Sequence, residues 1–98
     1  MAGREVRALF HPGGEPSYRL EMLNGMPCGL EETWGVPGVL TQRATFLDGQ
    51  LHGYYESWWA NGSLKERGVY REGKRVGEYV WYTSEGAVWQ RHDYGGAF

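Results

Sequence analysis

Apolar and polar residues alternate along most of this chain, and glycine interrupts the alternation at regular steps. Period-two alternation over four to eight residues, bounded by Gly, Pro, Asn or Asp, marks strands joined by turns. On this pattern residues 4–10 and 16–23 form a first pair around His11-Pro12-Gly13-Gly14. Residues 30–35 and 39–46 form a second. A loose turn is expected there, because Gly35, Pro37 and Gly38 cluster and proline is poorly tolerated inside a strand. Residues 54–59 and 63–70 make the clearest hairpin, through Ala60-Asn61-Gly62, and 78–83 with 87–94 repeat it through Ser84-Glu85-Gly86. The closing Gly95-Gly96-Ala97-Phe98 is expected to fray.

The pairs are near-copies. Shifted by 24 residues, Gly25 falls on Gly49 and Gly73, Gly29 on Gly53 and Gly77, and Phe10 on Trp34, Trp58 and Tyr82. Leu40, Leu64 and Val88 share a column, as do Phe46, Tyr70 and Tyr94, and Arg19, Arg43, Arg67 and Arg91 share another. A fixed period of this kind marks a repeat architecture. One domain, 1–98, divides into a partial unit at about 1–21 and units at about 22–45, 46–69 and 70–94. With 16 glycines at such spacing, each costing about 1 kcal/mol in a helix interior, no long helix is expected. The expected fold is all-β, an antiparallel β-meander of about three to four stacked hairpins.

Trp58 and Leu64 lie in apolar columns and should share a face, which requires an odd number of residues in the loop between them. A three-residue loop, a type I turn followed by a left-handed glycine in a G1 bulge, meets that demand. A two-residue Asn-Gly turn would pair Trp58 with Lys65 instead. The three-residue register makes Phe10, Trp34, Trp58 and Tyr82 a core column with Leu40, Leu64, Val88, Phe46, Tyr70 and Tyr94. Extended along the strands, it sets Arg67 opposite Tyr55, Arg91 opposite Tyr79, Arg43 opposite Glu31, and Arg7 unfavourably opposite Arg19.

The pattern read from Gly49 through Gly53, Trp58 and Gly62 to Tyr70 resembles the MORN repeat. It is most similar to the variant MORN repeat of bacterial antitoxin-like proteins, through Glu72-Gly73-Lys74-Arg75-Val76-Gly77 and Ala60-Asn61-Gly62-Ser63-Leu64. The resemblance covers residues 46–94 well, 22–45 less closely, and 1–21 hardly at all. It implies an extended, non-catalytic meander with a partner-binding role, as an antitoxin or immunity protein.

Composition removes several other classes. A net charge of -2 gives no footprint for nucleic acid. A single cysteine, Cys28, suits a reducing, cytoplasmic setting, and no apolar leader or membrane-spanning run is visible. Gly68 to Lys74 fits the start of a phosphate loop, but Arg75 stands where Ser or Thr would hold magnesium and no helix follows. Asn61-Gly62-Ser63 is better explained as a turn than as a glycosylation acceptor. His11, His52, His92 and Cys28 are too widely spaced for a close ligand pair, so no metal and no cofactor is expected. The glutamates fit solvated strand faces, and a thin meander offers little concavity for catalysis.

The second face then becomes the functional expectation. Tyr55, Trp59, Tyr79, Trp81 and Trp89, with Arg67 and Arg91 beside them, have the residue types of interface hot spots. Three occupants are open: a protein partner such as a cognate toxin, the sheet's own curl, or a second copy in a homodimer. The last strand is also a free edge for strand addition. The main alternative is a MORN-type scaffold on phospholipid or a membrane surface. The acidic balance weighs against it, since Arg71, Lys74 and Arg75 form the one compact basic turn.

Overall fold

The computed structural model describes residues 3–96 as a single antiparallel sheet of eight strands in chain order. They are β1 (Arg4–Phe10), β2 (Pro16–Leu23), β3 (Met26–Val36), β4 (Val39–Leu47), β5 (Gln50–Trp58), β6 (Leu64–Arg71), β7 (Lys74–Tyr82) and β8 (Val88–Asp93). This is an all-β meander, and no helix among the described residues could cross a membrane. Eight strands about 4.8 Å apart need roughly 34 Å of width. The sheet measures 42 × 36 × 10 Å, so it lies open and does not roll onto itself.

Two kinds of turn alternate along its two edges. At Asn24-Gly25, Asp48-Gly49 and Glu72-Gly73 both residues have positive φ, 51° and 80°, 50° and 82°, and 51° and 82°. These are type I′ turns, whose twist matches the strands they join. They let β3, β5 and β7 begin four residues earlier than the alternation suggests, at Met26, Gln50 and Lys74. At the opposite edge Trp59 N–H bonds Ser63 O at 2.8 Å and Gly62 N–H bonds Trp59 O at 2.9 Å. Thr83, Ala87 and Gly86 repeat this arrangement, with φ of 88° at Gly62 and 94° at Gly86. The three-residue G1-bulge loop is therefore as expected, and Trp58 pairs with Leu64.

The Pro37-Gly38 turn is not loose. Val36 pairs with Val39 around it, Gly38 taking φ 79° as a proline–glycine type II turn requires. Tyr94 and Gly95 are held as well: Tyr94 N–H bonds Gly77 O and Gly77 N–H bonds Gly95 O, both at 2.9 Å. The expectation of fraying at Ala97 and Phe98 lies outside the described residues.

One further bulge overturns the expected side-chain faces. Beyond the Trp58–Leu64 pair the register slips by one, so Ser57 meets Glu66, Glu56 meets Arg67 and Tyr55 meets Gly68. The same slip recurs between Trp81 and Tyr82, which turns Arg91 opposite Val80. Arg43 accordingly meets Glu32, not Glu31, and Arg19 meets Ala8, not Arg7. Arg67 and Arg91 thus lie on the face opposite Tyr55 and Tyr79. The expected core column is split too. Trp34, Trp58 and Tyr82 with Leu40, Leu64 and Val88 share the arginine face, while Phe46 and Tyr70 lie on the other. Burial follows the second face: Met22, Ala44 and Tyr79 are the buried hydrophobic residues, with Ser57 beside them.

An aromatic face as the candidate interaction site

Two rows of side chains run across the sheet on this face. The first contains Tyr18, Thr33, Gln42, Ser57, Glu66, Trp81 and Gln90, each the partner of the next. The second contains Leu20, Glu31, Ala44, Tyr55 and Gly68. Hydrogen bonds tie the rows together. Tyr18 Oη donates to Glu31 Oε2 at 2.5 Å, Gln42 Nε2 to Glu31 Oε1 at 3.1 Å, and Tyr55 Oη to Gln42 Oε1 at 3.2 Å. Further along, Ser57 Oγ donates to Glu66 Oε1 at 3.2 Å and Tyr79 Oη to Glu66 Oε2 at 2.7 Å. Each phenol thus points its one proton at a fixed acceptor. Burial first, then Glu31, pushes the Tyr18 phenol up to about 12, and burial first, then Glu66, does the same for Tyr55. Tyr79 is raised by burial and by its bond to Glu66. All three remain neutral donors near pH 7.

Small residues beneath the rings make this possible. Tyr79 lies on Gly68 so closely that a β-carbon there would fall 1.9 Å from a ring carbon. One repeat earlier the position is Ala44, flanked by Glu31 and Tyr55. A methyl group fits beside a carboxylate and one phenol. Between Tyr55 and Tyr79 only hydrogen does.

From that anchor an aromatic array spreads over β5 to β8. Ring centroids are 5.8 Å apart for Tyr55–Tyr70, 6.1 Å for Tyr70–Tyr79, 4.7 Å for Tyr79–Trp81 and 6.5 Å for Trp81–Trp89. Tyr94 stands edge-on to Tyr79 at 6.2 Å. Pairs of this geometry add about 0.5–1.5 kcal/mol each beyond area burial. Trp59 is held at the loop edge, where its Nε1–H donates to Tyr82 O at 3.2 Å and Lys65 Nζ lies 4.8 Å above its ring.

The seven residues singled out from the sequence therefore separate. Tyr55, Tyr79, Trp81 and Trp89 join one array. Trp89 is 59% exposed, Tyr55, Trp59 and Trp81 are half-buried, and Tyr79 is fully buried, which makes it a support and not a contact residue. Arg67 and Arg91 face away and pair with Glu56 at 3.8 Å and Glu78 at 3.6 Å. The sequence reading missed Arg75. Its guanidinium lies 4.7 Å from the Tyr79 centroid, 5.7 Å from those of Trp81 and Tyr94, and 5.9 Å from that of Tyr70. Its neighbours Lys74 and Arg71 suggested a basic turn, and only the pairing of Arg75 with Tyr70 puts it on the aromatic side. Among the described residues no group of three or more His, Cys, Asp or Glu could hold a metal ion.

No family model matches the chain, and no curated protein matches it. Among solved structures, one chain in the crystal structure of accessory secretory protein 1, 2 and 3 in Streptococcus pneumoniae superposes with a TM-score of 0.49 at 16% identity. The superposition covers 91% of this chain and 17% of that one.

Proposed function

We propose that this chain is a non-catalytic protein-binding module of MORN type, an antitoxin or immunity protein that neutralises a cognate cytoplasmic toxin by steric occlusion. The observation that carries the reading is the Tyr55–Tyr70–Tyr79–Trp81–Trp89 array, on one side of a sheet with no second layer over it among the described residues. A face of 42 × 36 Å offers roughly 1,500 Å² in projection, about twice what one partner contributes to a standard interface. Trp59, Trp81 and Trp89 are the reachable anchors, and Tyr79, seated on Gly68, supports Trp81. The phospholipid alternative asks for a polybasic surface, whereas the basic turn has Arg75 drawn in among the rings.

The test is co-expression with the products of the flanking genes, followed by affinity measurement on the complex that forms. Trp59→Ala combined with Trp81→Ala should weaken it at least a hundredfold, as loss of two hot-spot residues does. Unchanged affinity in that double variant would sink the reading.

A further inference from the structure

Arginine on the other face is consistently paired: Arg19 with Glu21, Arg43 with Glu32, Arg67 with Glu56 and Arg91 with Glu78, at 3.4–3.8 Å. On the aromatic face Arg7 pairs with Glu5 at 3.8 Å, but Lys65 and Arg75 do not pair in this way. Among the described residues no carboxylate lies within ion-pair distance of Lys65 or Arg75, and both are exposed. Each is held on rings instead, Lys65 on Trp59 and Arg75 on the Tyr70–Tyr79–Trp81–Tyr94 cluster. Arg75 is also oriented: Nε donates to Tyr70 Oη at 3.2 Å and Nη1 to Tyr94 Oη at 3.4 Å, which uses two of its five N–H groups. Beside it Tyr70, Gly73, Lys74 and Tyr94 line a shallow groove of about 410 Å³.

We propose that the partner of this face is an acidic protein segment, one carboxylate of which seats on Arg75 in that groove while a second meets Lys65. This rests on the protein-binding reading above and names the partner's chemistry. The geometry favours a carboxylate because a guanidinium fixed in its plane by rings and two hydroxyls loses little freedom on forming a bidentate bond. Lys65 lies at the start of β6, and Arg75 pairs with Tyr70, five residues or roughly 17 Å further along that strand, with the rings between them. The segment that fits carries apolar side chains between two acidic positions.

The full chain, immobilised, is used to select from a phage library of random dodecapeptides, with vesicles of phosphatidylcholine and phosphatidylglycerol as a parallel probe. Recovered peptides should be enriched in Asp and Glu beside aromatic or aliphatic residues. A synthetic representative should bind Arg75→Gln at least tenfold more weakly and Lys65→Gln several-fold more weakly, as loss of a charged hydrogen bond predicts. Its affinity should fall as salt rises. Peptides without acidic enrichment, or binding both variants as tightly as the parent, overturn the acidic partner and leave the aromatic reading standing if Trp81→Ala still abolishes them. Recovery of no peptide overturns both. Sedimentation with the vesicles, without acidic-peptide binding, overturns it in favour of a lipid surface. Where circular dichroism shows Arg75→Gln unfolded, Lys65→Gln decides the question, since Lys65 lies outside the buried cluster.

Discussion

The two faces of this sheet use one repeat in opposite ways. On the charged face a single row runs Arg19, Glu32, Arg43, Glu56, Arg67, Val80 and Arg91, charges alternating in sign from strand to strand as far as Arg67. Exposed pairs of this kind contribute about 0–1 kcal/mol each. On the aromatic face, rings, amides and carboxylates interlock around Tyr79 and Gly68. Both faces share the same 24-residue period, yet the buried side chains among the described residues, Met22, Ala44, Ser57 and Tyr79, all lie on the second. A layer one sheet thick concentrates its burial on one side and leaves the other as a ladder of ion pairs.

Perturbations should separate the faces in order of size. Tyr79→Ala should destabilise by about 3–5 kcal/mol, lowering the Tm by more than about 10 °C, because the ring that seals Gly68 and supports Trp81 is gone. Urea unfolding checks this, and a loss below 1 kcal/mol would show that the aromatic face is not the core. Gly68→Ala comes next, at about 1–3 kcal/mol, since the Tyr79 ring must leave the place where it now sits. Ala44→Gly at the equivalent position should be milder, and near-equal losses would break the distinction drawn between the two sites.

Glu21 gives a smaller, pH-dependent effect on the charged face. The Leu30 N–H, 2.7 Å from Glu21 Oε1, holds its carboxyl below the usual range against partial burial, with help from Arg19. A depressed folded-state pKa contributes stability above the unfolded value and loses it as pH falls through the folded one. The stability gap between the parent and Glu21→Gln should therefore be largest near neutral pH and close in acid. A constant gap from pH 7 to pH 3 would contradict it. Smallest of all, a double-mutant cycle on Glu56 and Arg67 should return a coupling below about 1 kcal/mol that fades with salt. A larger, salt-insensitive coupling would mean that the charged face is also a packed surface.

Much of the fold was legible in the sequence. Strand positions, the meander and the three-residue loops with Gly62 and Gly86 follow from alternation and turn chemistry, which are local. The beginnings of β3, β5 and β7 were not visible, because Gly29, Gly53 and Gly77 look like breaks although the strands run through them. Of the candidate site, Tyr55, Trp59, Trp81 and Trp89 were found by residue type. Arg67 and Arg91 were placed on the wrong face because a single bulge beside Lys65 and Trp89 reverses the parity of everything behind it. Arg75 was missed because its partners, Tyr70, Tyr79 and Tyr94, come together only across three strands.

The sequence alone determined where the chain extends and where it turns, since glycine, asparagine and proline act on their own dihedrals and alternation acts on adjacent residues. Which side became the buried one was decided only in the assembled sheet. Face is a cumulative count along paired strands, and one extra residue in a bulge changes it for every position that follows.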